Sequence, residues 1–230
     1  MMKKEVLEGL NNERTIRINN QNYTADPLDK AELGIFQAEY DLLFGLEDSV
    51  LKKMLDERLP HVFQAVRVMK KKMGAAFRGI YAVGGELGWG QIRPYHAGAN
   101  AATWSKTYSG AGYVDWLGSA AVPRSVYKYH AMVVLAMDNQ AESGIYTDEV
   151  LFNQNGSTWP VQDLRQLALA DNKNLVPVQP LKTMYFMPND TFFARALANA
   201  AGTDKPRLVG VSLGAGTYLS KETYTGNPPE

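Results

Sequence analysis

Residues 207–216 read Arg-Leu-Val-Gly210-Val-Ser212-Leu-Gly214-Ala-Gly, a G-x-S-x-G after an apolar run. That spacing exposes a serine nucleophile where a strand turns sharply into a helix. The chemistry also needs an acid and a histidine further along the chain. Only 16 residues follow Gly214, with neither His nor Asp among them, and residues 217–226 form a poor helix. The glycines are read instead as places where a strand thins so that another backbone can approach.

The other motifs carry as little chemistry. Gly84-Gly-Glu-Leu-Gly88-Trp-Gly90 lacks the Gly-Lys-Ser/Thr ending of a phosphate loop, and it reads as a flexible joint. His61, His96 and His130 stand alone, with no metal-ligand spacing. Asp138, Glu142, Asp148 and Glu149 flank one predicted turn without the EF-hand pattern, so a solvated loop is expected. No carboxylate pair is marked out for acid–base work. The expectation is therefore no catalytic residue, no cofactor, no metal and no enzyme.

Two clusters carry more. Residues 26–48 hold seven acids and one base, while residues 58–78 hold six bases, Arg58, Arg67, Lys70, Lys71, Lys72 and Arg78, and no acid. Such a block can meet nucleic acid, but it can also meet the acidic stretch, in its own chain or a neighbour's. Protein–protein pairing is the preferred reading, with nucleic acid a lesser one, because complementary charged faces set register between subunits. Trp89, Tyr95, Trp104, Tyr108, Tyr113 and Trp116 lie within 28 residues. Core or subunit interface explains them best; stacking on a sugar is the alternative, with Trp89, Trp104, Tyr108 and Trp116 as its candidates.

The elements that would position these residues divide the chain into three. Residues 1–27 are a polar, Asn-rich arm with one strand-like piece at 15–18. Residues 28–83 are helical: apolar stripes and breakers predict one helix from Asp26-Pro27 to Gly45, a second from about residue 47, and a third opened by Pro60. Residues 84–230 hold short apolar runs separated by turns. Strands are expected at 101–108, 126–137, 144–152, 183–187, 191–199 and 207–218, the last two as a hairpin, with a short helix at 161–170. Many strands with almost no intervening helix predict a mainly β fold, an antiparallel β-sandwich behind an arm and a short helical region.

Composition bounds the rest. With 24 basic against 24 acidic side chains in 230 residues, a dedicated nucleic-acid coat is disfavoured. Cysteine is absent, which excludes disulfides, thiolate metal sites and a cysteine nucleophile. The first residues lack the apolar stretch of a secretory signal, and the longest apolar run, 131–137, is far short of the ~20 residues of a membrane span.

An arm, a helical segment and a β-rich body ending in strand, Met187-Pro-Asn-Asp190, strand, turn and Arg207-Leu-Val-Gly-Val-Ser212 together resemble the layout of virus and bacteriophage structural proteins of the single jelly-roll kind. The resemblance covers residues 90–230. It implies a jelly-roll-like sandwich that assembles with copies of itself and other virion proteins, as a capsid or capsid-surface (decoration or vertex) subunit. It further implies synthesis in the host cytoplasm, residence in the virion and extended termini that bind neighbours. Removing residues 1–80 should then abolish assembly and leave the β region folded. The alternative is a carbohydrate- or receptor-binding β-sandwich of a fibre or spike.

Overall fold

The computed structural model describes residues 12, 14–34, 49–73, 87–92, 104–126, 130–139, 146–165 and 178–215. The chain is mainly β, and its sheets are antiparallel.

The polar N-terminal segment contains a hairpin, β1 (Thr15–Ile18) and β2 (Gln21–Thr24), joined by Asn19-Asn20. Both asparagines have positive φ, 51° and 63°, as the favoured two-residue hairpin turn requires and as Asn tolerates. Ile16 and Ile18 alternate with polar residues and are buried, so this stretch docks by one apolar face.

One helix, α1 (Ser49–Met73), runs through Pro60, where sequence predicts a break between two helices. Proline removes one intrahelical donor. Leu59, Val62, Phe63, Val66 and Met69 nevertheless form a continuous buried stripe across it, and packing of that stripe outweighs the lost bond. Of the helix expected from Asp26-Pro27 to Gly45, residues 26–29 are not helical, residues 30–34 are, and residues 35–45 lie outside the described residues.

The strands that follow are β3 (Leu87–Gln91), β4 (Lys106–Tyr108), β5 (Gly112–Leu117), β6 (Arg124–Ser125), β7 (His130–Asn139), β8 (Thr147–Gln154), β9 (Ser157–Thr158), β10 (Gln162–Asp163), β11 (Val178–Phe186), β12 (Thr191–Ala198), β13 (Gly202–Asp204) and β14 (Pro206–Ala215). One sheet has the order β11-β7-β14-β3, and a second has the order β10-β8-β12-β5, with β6 on β12 and β9 on β8; β13 pairs with β4. The pairing is nested: β3 with β14, β5 with β12, β7 with β11 and β8 with β10.

Several expectations change. The predicted hairpin of the last two long strands does not form, since β12 and β14 lie in different sheets; the link between them is long enough to carry β13 and cross over. The Gly84–Gly90 joint is in part a strand: Gly88 and Gly90 sit opposite Gly214 and Ser212, where the ladder satisfies their backbone groups. The start of the helix expected at 161–170 is β10, because the Leu164 N–H bonds the Asp148 carbonyl at 2.7 Å and not a helical turn; Arg165 is helical, and residues 166–170 lie outside the described residues. Strand β5 is not foreseen at all. Gly210 does meet the close-approach expectation, since a Cβ there would lie 2.1 Å from the Val133 carbonyl oxygen.

Two apolar clusters lie on opposite faces of the first sheet. Val133, Leu135, Val211 and Leu213 meet α1 and the β1–β2 hairpin. Met132, Val134, Phe186 and Leu208 meet Phe152, Phe192, Ala194 and Ala196 of the second sheet.

Candidate binding cleft

Two turns and a sheet edge enclose a cleft of about 780 Å³. Asn19-Asn20 forms one wall and the β8–β9 turn, Asn155-Gly156, another; Lys182, Thr183 and Tyr185 of edge strand β11 close it. Asn155 and Gly156 also have positive φ, 50° and 79°, so Asn-Gly sets a tight hairpin and fixes what its neighbours present.

Hydrogen bonds hold this frame. The Tyr185 carbonyl accepts from Asn19 Nδ2 and from Gln154 Nε2, each at 2.6 Å, which occupies an edge-strand acceptor. Gln154 also donates to Asp190 Oδ2 at 2.7 Å and accepts from Trp159 Nε1 at 3.1 Å, so the indole is pinned beside the cleft. Buried Asp190 is the hub: it accepts from Met187 N at 2.7 Å and from Asn155 Nδ2 at 2.8 Å. Its charge is spent on three donors behind the wall. Among the described residues, the charged ones that line the cleft are Arg17 and Lys182, both cationic and exposed.

A second polar knot lies beneath β11. The Tyr185 hydroxyl donates to Gln64 Oε1 at 3.1 Å and lies 2.8 Å from His61 Nδ1. Burial, and then the charge of Arg58, pull the His61 pKa below its usual value. Burial raises that of Tyr185.

The basic block is dispersed in role. Arg67 is 2% exposed and donates from Nε to the Asp26 carbonyl at 3.2 Å. Lys70 bridges to Glu32 at 2.7 Å and Lys71 to Asp26 at 3.4 Å, so these bases meet acids of their own chain. Arg58 donates to Thr183 Oγ1 at 3.3 Å, and Lys72 is exposed at the end of α1. Arg78 lies outside the described residues, as do Glu39, Asp41, Glu47 and Asp48. The last-turn lysines also suit the negative end of the helix dipole.

The aromatic cluster is brought together only in part. Trp104 and Trp116 have ring centroids 6.1 Å apart, and Trp116 meets Phe152 edge-on at 6.3 Å, against the inter-sheet core. Tyr108 is buried, its hydroxyl 2.6 Å from Thr147 Oγ1. Trp89 lies on β3 opposite Leu213, and its side chain is outside the described residues. The tryptophan that lines the cleft is Trp159, which no sequence pattern singles out although it follows the Asn155-Gly156 turn.

Ser212 has a partner that the sequence does not reveal. Its Oγ lies 2.6 Å from His130 Nε2, on the neighbouring strand β7. At 0% and 1% exposure, the pair satisfies two polar groups inside the fold. Burial drives the imidazole pKa down to about 3, so it is neutral. Ser212 lies within β14, not at a strand-to-helix elbow. Among the described residues no group of three His, Cys, Asp or Glu is placed to hold a metal, and no helix is long and apolar enough to cross a membrane. Compared with known proteins, the chain matches no family model and no curated sequence.

Proposed function

We propose that the chain is a jelly-roll subunit that assembles with copies of itself, and with other virion proteins, into a capsid or onto its surface, without catalysing a reaction. The observation that carries this reading is the nested pairing. Taken in chain order, β3, β5, β7, β8, β10, β11, β12 and β14 pair first with last and so inward, as one long hairpin rolled into two facing sheets. Such nesting supports a jelly-roll reading, an architecture used by viral capsid and lectin domains. Fold alone does not fix function. Added support comes from exposed Val122 and Val161, and from strands β3, β5 and β10, each of which has a free edge among the described residues that a neighbour can cover. Residence in the virion follows from the same reading, and a genome contact of Lys72 is its minor branch.

Light scattering with negative-stain imaging of the full-length protein tests the proposal. Rings, closed shells or discrete oligomers are expected. A 25.5 kDa monomer at every concentration would sink it. The second reading, a glycan- or receptor-binding sandwich, takes its support from the cleft, since the rings of Trp104 and Trp116 pack on each other and on the core.

A further inference from the structure

We propose that the cleft between the β1–β2 turn, the β8–β9 turn and strand β11 binds an acidic saccharide, with Lys182 and Arg17 meeting the carboxylate of the sugar. The proposal deepens the glycan-binding reading of that cleft and is independent of self-assembly.

Size is the first argument: about 780 Å³ falls within the roughly 300–1,000 Å³ of small-molecule sites. Charge is the second. Among the described residues two cations line the cleft and no carboxylate does. Lys182 has no hydrogen bond or ion pair among the described residues, and the side-chain bond of Arg17 is a long one, 3.5 Å to Asn20 Oδ1. Both are therefore available to an anion, and the nearby Asp190 carboxylate is turned to donors behind the wall.

The third argument is the lining chemistry. Ser157 and Thr158 present hydroxyls and Asn20 an amide, donors and acceptors suited to vicinal hydroxyls. Trp159 is held by its bond to Gln154, which leaves a fixed aromatic surface for the apolar face of a pyranose. The turns that carry these groups are locked through Asp190 and the Tyr185 carbonyl, so little ordering cost falls on binding. Two cations suit one or two carboxylates. A nucleic-acid strand calls for a longer track of positive charge along its backbone.

Saturation-transfer NMR and intrinsic fluorescence titration on the full-length protein decide the matter, with 3′-sialyllactose and glucuronic acid as probes, lactose and glucose as their neutral counterparts, and an eight-residue oligothymidylate. The acidic sugars are expected to bind at least tenfold tighter than the neutral ones, and 500 mM salt should erase most of that preference. Lys182→Ala, an exposed change, should remove the preference with the oligomer mass unchanged. Trp159→Ala should abolish binding of all sugars and Trp159→Phe restore part of it. If Trp159→Ala fails to fold, Lys182→Ala and Arg17→Ala decide. Equal binding of acidic and neutral sugars, no binding of either acidic probe, or indifference to Lys182→Ala overturns the proposal. Preferential binding of the oligothymidylate overturns it in favour of single-stranded nucleic acid.

Discussion

The two sheets differ in how many faces they bury. In the first, nine of the ten residues of β7 are buried, because α1 and the N-terminal hairpin cover one side and the second sheet covers the other. In the second, β12 alternates strictly: Phe192, Ala194, Ala196 and Ala198 point inward and are buried, and Phe193, Arg195 and Leu197 are half-buried. Its outer face carries Tyr113, whose hydroxyl donates to Glu149 at 2.9 Å, and Arg195, 5.5 Å above the Tyr113 ring. The first sheet is thus a central layer and the second an outer one. The outer sheet leaves one face exposed, and α1 packs against the central sheet as part of its core.

Removing the cover should produce the largest effect. Deletion of residues 1–80 would expose Val133, Leu135, Val211 and Leu213 to water, so we expect loss of cooperative thermal unfolding and aggregation, read by circular dichroism. A folded, soluble truncation would show the helix to be the removable arm that the resemblance implies. Next is Phe186→Ala between the sheets, where Phe186 meets the rings of Phe192 at 4.7 Å and Phe152 at 6.3 Å. Urea denaturation should show a loss of about 3–5 kcal/mol.

A pH series sharpens the contrast at the buried His130. Its pKa falls from 6.5 to about 3 on folding, so between those values the unfolded chain binds the proton and the folded chain does not. Stability should therefore decline as pH drops through that window. His130→Gln, which can still bond Ser212, should show a shallower decline than the parent; identical slopes would mean that this imidazole is not the neutral group described. The smallest effect belongs to the open face: Arg195→Ala, with its 3.8 Å contact to exposed Asp115, should change stability by about 0.5 kcal/mol or less.

The same two strands explain what was legible in the sequence. The alternation of β12 and the unbroken apolar run of β7 are local patterns, and both translate directly into burial. Pro60 misleads because a local rule was overruled by a stripe of distant packing partners. The β12–β14 hairpin misleads because proximity in sequence says nothing about which sheet a strand joins. Glycine at 84, 85, 88 and 90 reads as a joint, yet glycines 88 and 90 pair with glycine-rich β14, a match visible only once the register is known. At the site, the Asn155-Gly156 turn was legible. Its convergence with Asn19-Asn20 and Lys182 was not, since Asn19 lies 136 positions before Asn155 and Lys182 follows on another strand, so that they meet only through tertiary structure.

Helix α1 is a layer of the body that covers the central sheet. Hydrogen exchange on the full-length protein, read by mass spectrometry, tests that directly. Amides of residues 59–69 in α1 should exchange in the same slow class as those of β7 and β14, since all three share one core. Exchange of the helix at free-peptide rates beside a protected β7 would contradict it.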